Sequence, residues 1–186
     1  MPRIEPLELA QMTGEVRTVH EQGLAQWGRM TNMKRTLLHS LPAYHALMQW
    51  YPLFDSIKSF LGERLAIIFA HAISTGSHCL ICTTFMRRIL IDWGEDPNRL
   101  ALDEKGNALV AFAGAIVQSD NRVPSEIYDR VASLFSKEEI VALTGFAALM
   151  IATNIVNNAL EVELDDYLYA YRDGQSPAPE VTSHGA

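Results

Sequence analysis

Cysteine is scarce in this chain: 186 residues hold two, standing together as Cys79-Leu80-Ile81-Cys82. That excludes the disulfide framework of small secreted proteins, and a bond across so short a loop adds little stability through chain entropy. The pair matters through its chemistry or not at all. Positive charge is also in deficit, with 15 Lys and Arg against 22 Asp and Glu and a formal net charge of −7. A duplex partner needs a basic face to neutralise its phosphates, so no nucleic acid is expected as a partner. The longest nearly unbroken apolar run, 140–151, is shorter than the roughly 20 residues that cross a bilayer, so no membrane partner is expected. The N-terminal MPRIEPLELAQ lacks an apolar h-region, and the expected location is cytoplasmic. Neither GxGxxG nor a P-loop occurs, so no cofactor is expected.

Strand signals are missing too. No stretch alternates apolar and polar residues over strand length, and a hairpin dipeptide occurs only at Asp173-Gly174. The expected fold class is all-α, a single-domain helical bundle over 1–171 followed by a disordered Pro-, Ser- and Gly-rich tail, 172–186. Pro42 suits the first turn of a helix running to about 60, with Tyr44, Leu47, Met48, Tyr51 and Phe54 near three-four spacing. A second helix is predicted over 63–75, stopped by Gly76. A third begins at 77 or 78, carries the cysteines and ends near 93, before Gly94 and Pro97. Further helices are predicted over 103–119, 124–135 and 164–171, the last with Asp165 placed to cap it. Ser136 and Glu139 have capping-box spacing. The helix they open is apolar nearly all round and belongs in the core or in a subunit contact. The first thirty residues are expected to cap the core or wrap a neighbouring subunit.

The segment 63–88, ERLAIIFAHAISTGSHCLICTTFMRR, is the one that can carry chemistry. Its cysteines fall in the first turns of a predicted helix, where unpaired amides and the positive dipole end stabilise a thiolate. Three-residue spacing puts both sulfurs on one helix face, close enough to join once one is oxidised. His78 adjoins Cys79, and Glu63, Ile67 and His71 form an i, i+4, i+8 row on the preceding helix. With those helices antiparallel, the row would supply a base and its orienting acid. Two readings compete with this one. Free cysteines are commonly just small buried residues, and a zinc site with His71 and His78 would need four tetrahedral ligands where no second CxxC exists.

The run from Glu-Arg-Leu-Ala-Ile through Ser-Thr-Gly-Ser into CxxC resembles the alkylhydroperoxidase D-like and carboxymuconolactone decarboxylase superfamily. The likeness extends to TNMKRTLLHSLPA at 31–43, FSKEEIVAL at 135–143 and TNIVNNAL at 153–160, and covers about 25–168. It is closest to the uncharacterised peroxidase-related members. The resemblance implies an all-α fold assembled into trimers or hexamers. It also implies a thiol-dependent peroxidase acting on a small peroxide, regenerated by an external dithiol or disulfide reductant. By the same carry-over Cys82 attacks the peroxide and Cys79 resolves it. The family's histidine, one turn after the second cysteine, is replaced by Met86, whose thioether takes no proton at neutral pH. The family's glutamate position falls on Ile67, one turn after Glu63. Either His71 or His78 then relays the proton, or the chain is a non-catalytic or redox-sensing helical oligomer of the same fold.

The remaining candidates read as structural. His39 and His45 suit the surface, and Arg87 and Arg88 a solvated pair. Trp27, Trp50 and Trp93 sit at core or contact spacings. Asn154, Asn157 and Asn158 read as helix-end chemistry.

Overall fold

The computed structural model of the chain describes residues 1–118 and 120–172, and the tail expected to be disordered lies, but for Arg172, outside them. Nine α-helices and two 3-10 helices follow one another in these residues, with no strand. The helices are α1 (Gly14–Trp27), α2 (Asn32–Leu37), α3 (Leu41–Met48), α4 (Trp50–Leu61), α5 (Glu63–Gly76), α6 (Leu80–Asp92), α7 (Glu104–Val117), α8 (Ser125–Leu134) and α9 (Lys137–Ala159).

The helix predicted over 42–60 is two. Gln49 ends α3 and opens α4, and Pro52 stands in the first turn of α4. Proline lacks the amide that would bond back to Met48, and its ring crowds that carbonyl, so a continuous helix is broken there. The corner from α4 into α5 turns on Gly62 at φ 75° and ψ 159°, a region open only to glycine.

At the centre lies α5, with Ala66 to Ala70, Ile73 and Ser74 all buried, packed against α4, α6, α7 and α9. Burial nearly all round explains why so few polar residues interrupt it. Rings knit these helices together: Phe69 stacks on Phe112 of α7, Trp50 stacks on Phe54, and Phe146 of α9 meets Trp50, Phe54 and Phe69. The α5–α7 contact is close. A Cβ built on Gly76 would collide with Cγ2 of Val117. Alanine ordinarily favours a helix over glycine, yet Gly76→Ala is expected to destabilise the fold by about 1–3 kcal/mol through overpacking. Val117→Ala should restore much of the loss, and denaturant midpoints of the single and double variants check it. Equal losses in both would show that the crowding lies elsewhere.

The predicted capping box forms: Ser136 Oγ accepts from the Glu139 amide at 3.2 Å, and Glu139 Oε2 accepts from the Ser136 amide at 2.7 Å. The helix it opens, α9, is 23 residues long with mean hydropathy 1.8 over its most apolar stretch, enough by length and composition to cross a membrane. The run read from the sequence is shorter because it stops at Ile151, while the helix continues through Asn154, Asn157 and Asn158. One side of α9 packs on α4, α5, α7 and α8. Its other edge leaves Val141 and Ile155 largely exposed.

The first thirty residues cap the bundle. Met12 and Val19 join Leu37, Leu38, Tyr44, Leu47 and Met48 in a second apolar cluster. Arg3 donates from its amide to the Leu160 carbonyl and pairs with Glu161 at the end of α9. Within this cap Lys34 is buried, its ammonium over the rings of Trp27 and Tyr51, and burial lowers its pKa to about 8. The short helix predicted over 164–171 is a 3-10 helix, Asp166–Tyr171. Asp165 precedes it without capping it; its Oδ1 accepts from the Asn32 amide at the start of α2 instead.

Candidate functional site

The cysteines occupy the turn between α5 and α6. His78 takes left-handed backbone at φ 53°, which brings the chain round so that the Cys79 amide donates to the Ser74 carbonyl. Cys79 is then the N-cap of α6 and Cys82 lies in its first turn. Both residues are buried, at 1% and 9% exposure, and both are free thiols.

A third residue joins them. Asn157, near the C-terminal end of α9 and buried, donates from Nδ2 to Cys82 Sγ at 3.4 Å and to Cys79 Sγ at 3.7 Å. Next to it Asn158 donates to the Ser77 carbonyl at 3.1 Å. These two asparagines fasten the end of α9 to the cysteine turn. Reading them as helix-end residues missed this role. The available signal was three carboxamides on an otherwise apolar helix, where each must be hydrogen-bonded or costs stability.

The surroundings polarise the sulfurs in opposite directions. The hydrogen bond from Cys82, the amides of Cys82 and Ile81 and the Asn157 carboxamide together outweigh burial and lower the Cys79 pKa to about 7. Cys82 is pushed well up by its bond to Cys79, by burial and by the charge Cys79 would carry. The pair is therefore a shared site, losing one proton near neutrality and holding the second.

Of the other expected site residues, the fold brings some near and not others. His78 directly precedes Cys79 and is exposed. His71 is half-buried on α5, three residues before Ser74. Glu63 opens α5 and is exposed, eleven residues before Ser74, which is about 16 Å of helix. Its neighbour Arg64 forms a bidentate pair with Glu95 beyond the far end of α6, at 2.6 Å for each contact. The two helices thus run antiparallel, but that order puts Glu63 at the end remote from the sulfurs, and it cannot orient a base there. Met86 is buried one turn after Cys82. Arg87 is no solvated residue: it is buried and donates to the Tyr171 carbonyl and to Asn98 Oδ1. Arg88 lies half-buried over the rings of Phe85 and Tyr167. Among the described residues no group of three or more His, Cys, Asp and Glu is placed to hold a metal ion.

No protein-family model and no curated protein matches the chain. Solved structures do. The debrominase Bmp8 superposes with a TM-score of 0.74 at 18% identity, over 90% of this chain and 95% of its own. A cysteine-to-alanine variant of Bmp8 is known in complex with 2,3,4-tribromopyrrole. An alkylhydroperoxidase AhpD core, an uncharacterised peroxidase-related protein from Ralstonia eutropha JMP134, gives 0.74 at 16% identity, over 96% of this chain and 98% of its own. A peroxidase-related protein from Silicibacter sp. TM1040 gives 0.66 at 15%, over 92% and 95%. With an all-helical architecture and a cysteine pair at the head of a helix, this chain has the fold of the alkylhydroperoxidase D-like, peroxidase-related proteins.

Proposed function

We propose that the chain is a CxxC-dependent thiol oxidoreductase that reduces small peroxides by cycling Cys79 and Cys82 between dithiol and disulfide. The observation that carries this reading is the polarised sulfur pair, which loses its first proton near neutral pH at the head of α6. The shared fold with peroxidase-related proteins supports it.

With Met86 in place of a titrating side chain, the pair supplies its own acid. In the singly ionised state one proton lies between the sulfurs. Its transfer to Cys79 leaves the charge on Cys82, whose higher pKa makes it the stronger nucleophile. Cys82 Sγ attacks the terminal oxygen of the hydroperoxide. The O–O bond breaks, the sulfur is oxidised to a sulfenic acid and the peroxide is reduced. Cys79, the stronger acid, protonates the departing alkoxide to the alcohol. The Cys79 thiolate then attacks the sulfenic sulfur, hydroxide leaves and the disulfide closes. An external dithiol reduces it and restores the pair.

Peroxide added to the reduced protein in equal amount is expected to leave a peptide linked through Cys79 and Cys82, read by mass spectrometry. Dithiothreitol should make peroxide consumption continuous. Recovery of both thiols, still open to alkylation after peroxide, would overturn the reading and favour a helical assembly without this chemistry.

A second reading rests on the equal superposition with a debrominase. The same dithiol could take a bromine from a bromopyrrole: sulfur captures the halogen, the ring carbon takes a proton, and the second sulfur displaces bromide to form the disulfide. Bromide release from a tribromopyrrole, measured beside peroxide consumption, ranks the two.

A further inference from the structure

We propose that Asn157 is a catalytic residue of the sulfur pair, the donor that holds both sulfurs at once and stabilises negative charge on whichever of them carries it. The proposal rests on the reading of the pair as a working thiolate site, and it concerns a residue on a different helix from the one that bears the cysteines.

Three observations carry it. The Nδ2 group reaches both sulfurs, at 3.4 and 3.7 Å, so one carboxamide spans the two positions between which the proton moves. The rest of the carboxamide has no structural use: Asn157 Oδ1 is buried without a partner. One turn earlier, Asn154 is wholly buried with neither its oxygen nor its nitrogen hydrogen-bonded. Buried polar atoms left unpaired destabilise a fold, and leucine, with the same branched outline of four side-chain heavy atoms, carries no such atoms. Retaining an amide at Asn157 is explained by the bonds it makes to sulfur. A carboxamide also suits the position chemically. It donates at every pH, whereas a histidine donates from a ring whose charge changes near neutrality. Charge-assisted bonds from N–H to a thiolate or a sulfenate are stronger than those to the neutral thiol, so the contact favours the ionised states along the reaction.

The test uses the full chain with Asn157→Leu and Asn157→Asp, following the alkylation of each cysteine against pH by mass spectrometry, with thermal melts alongside. Asn157→Leu is expected to raise the lower alkylation midpoint by about one unit, since a donor to the charged form is lost. Leucine is bulkier than the amide it replaces, so the midpoint and not the melting temperature is the deciding readout for this variant. Asn157→Asp places an anion beside the sulfurs, and its shift should be at least as large. A midpoint within about 0.2 unit of the natural protein in both variants would overturn the proposal. So would a lowered melting temperature with an unmoved midpoint, which is what a purely structural asparagine predicts. Alkylation needs no peroxide. If the natural protein consumes none, the peroxidase reading fails, while the midpoint shift still decides the part played by Asn157.

Discussion

Cys82→Ser is expected to end peroxide turnover, lowering the steady-state rate by about a thousandfold or more, as loss of a covalent nucleophile does. Hydroxyl oxygen has neither the acidity nor the polarisability to attack the O–O bond, and Cys79, the more acidic thiol of the pair, is the weaker nucleophile. Cys79→Ser is expected to behave differently. Cys82 can still be oxidised once, but no second sulfur closes the disulfide, so peroxide consumption stops after about one equivalent and a sulfenic acid accumulates, open to trapping by a dimedone-type reagent. Its initial rate falls as well, because serine is too weak an acid to protonate the leaving oxygen. Stopped-flow peroxide consumption with and without dithiothreitol separates the two. Trapping of a sulfenic acid on Cys79 in the Cys82→Ser protein, at an undiminished rate, would reverse the order of attack.

Phe146→Ala is expected to cost about 3–5 kcal/mol of stability, as large-to-small aromatic changes in tight cores do. The side chain is fully buried and touches three other rings, Trp50, Phe54 and Phe69, that come from two different helices packed on α9. The cavity left would be lined by large rings fixed by their own stacking, so collapse into it is hindered. For a chain of this length the melting temperature should fall by roughly 6–20 °C. Phe146 lies three turns from Asn157 on α9, and below the melt the cysteine alkylation midpoints should not move. A loss under about 1 kcal/mol would show that the three rings repack, and that the junction is less tight than the geometry makes it. A moved midpoint would show that strain travels along α9 to the sulfurs.

Much of this protein is decided locally, and local information lies in the chain itself. Period-3.6 apolar spacing, the Ser136–Glu139 box, Gly76 and the pair Gly94 and Pro97 place most helices, because capping and breaking depend on residues within a turn or two. The cysteine site was legible for the same reason: CxxC at a helix start is a local arrangement, and its chemistry follows from the N-terminal amides. Local reading failed where it met competing local effects, as at Pro52, which splits one predicted helix into α3 and α4.

What only the tertiary structure decided is which distant groups meet the sulfurs. Glu63 is nearer to Cys79 in sequence than Asn157, yet α5 carries it away by its own length, while the end of α9 returns 78 residues later to lie on both sulfurs. Arg87 likewise reads as a solvated cation and is buried, because the chain beyond α9 covers it. Helix spacing says which residues share a face, but it holds no information about which face another helix will cover. That depends on packing between segments far apart in the chain, and only the assembled fold contains it.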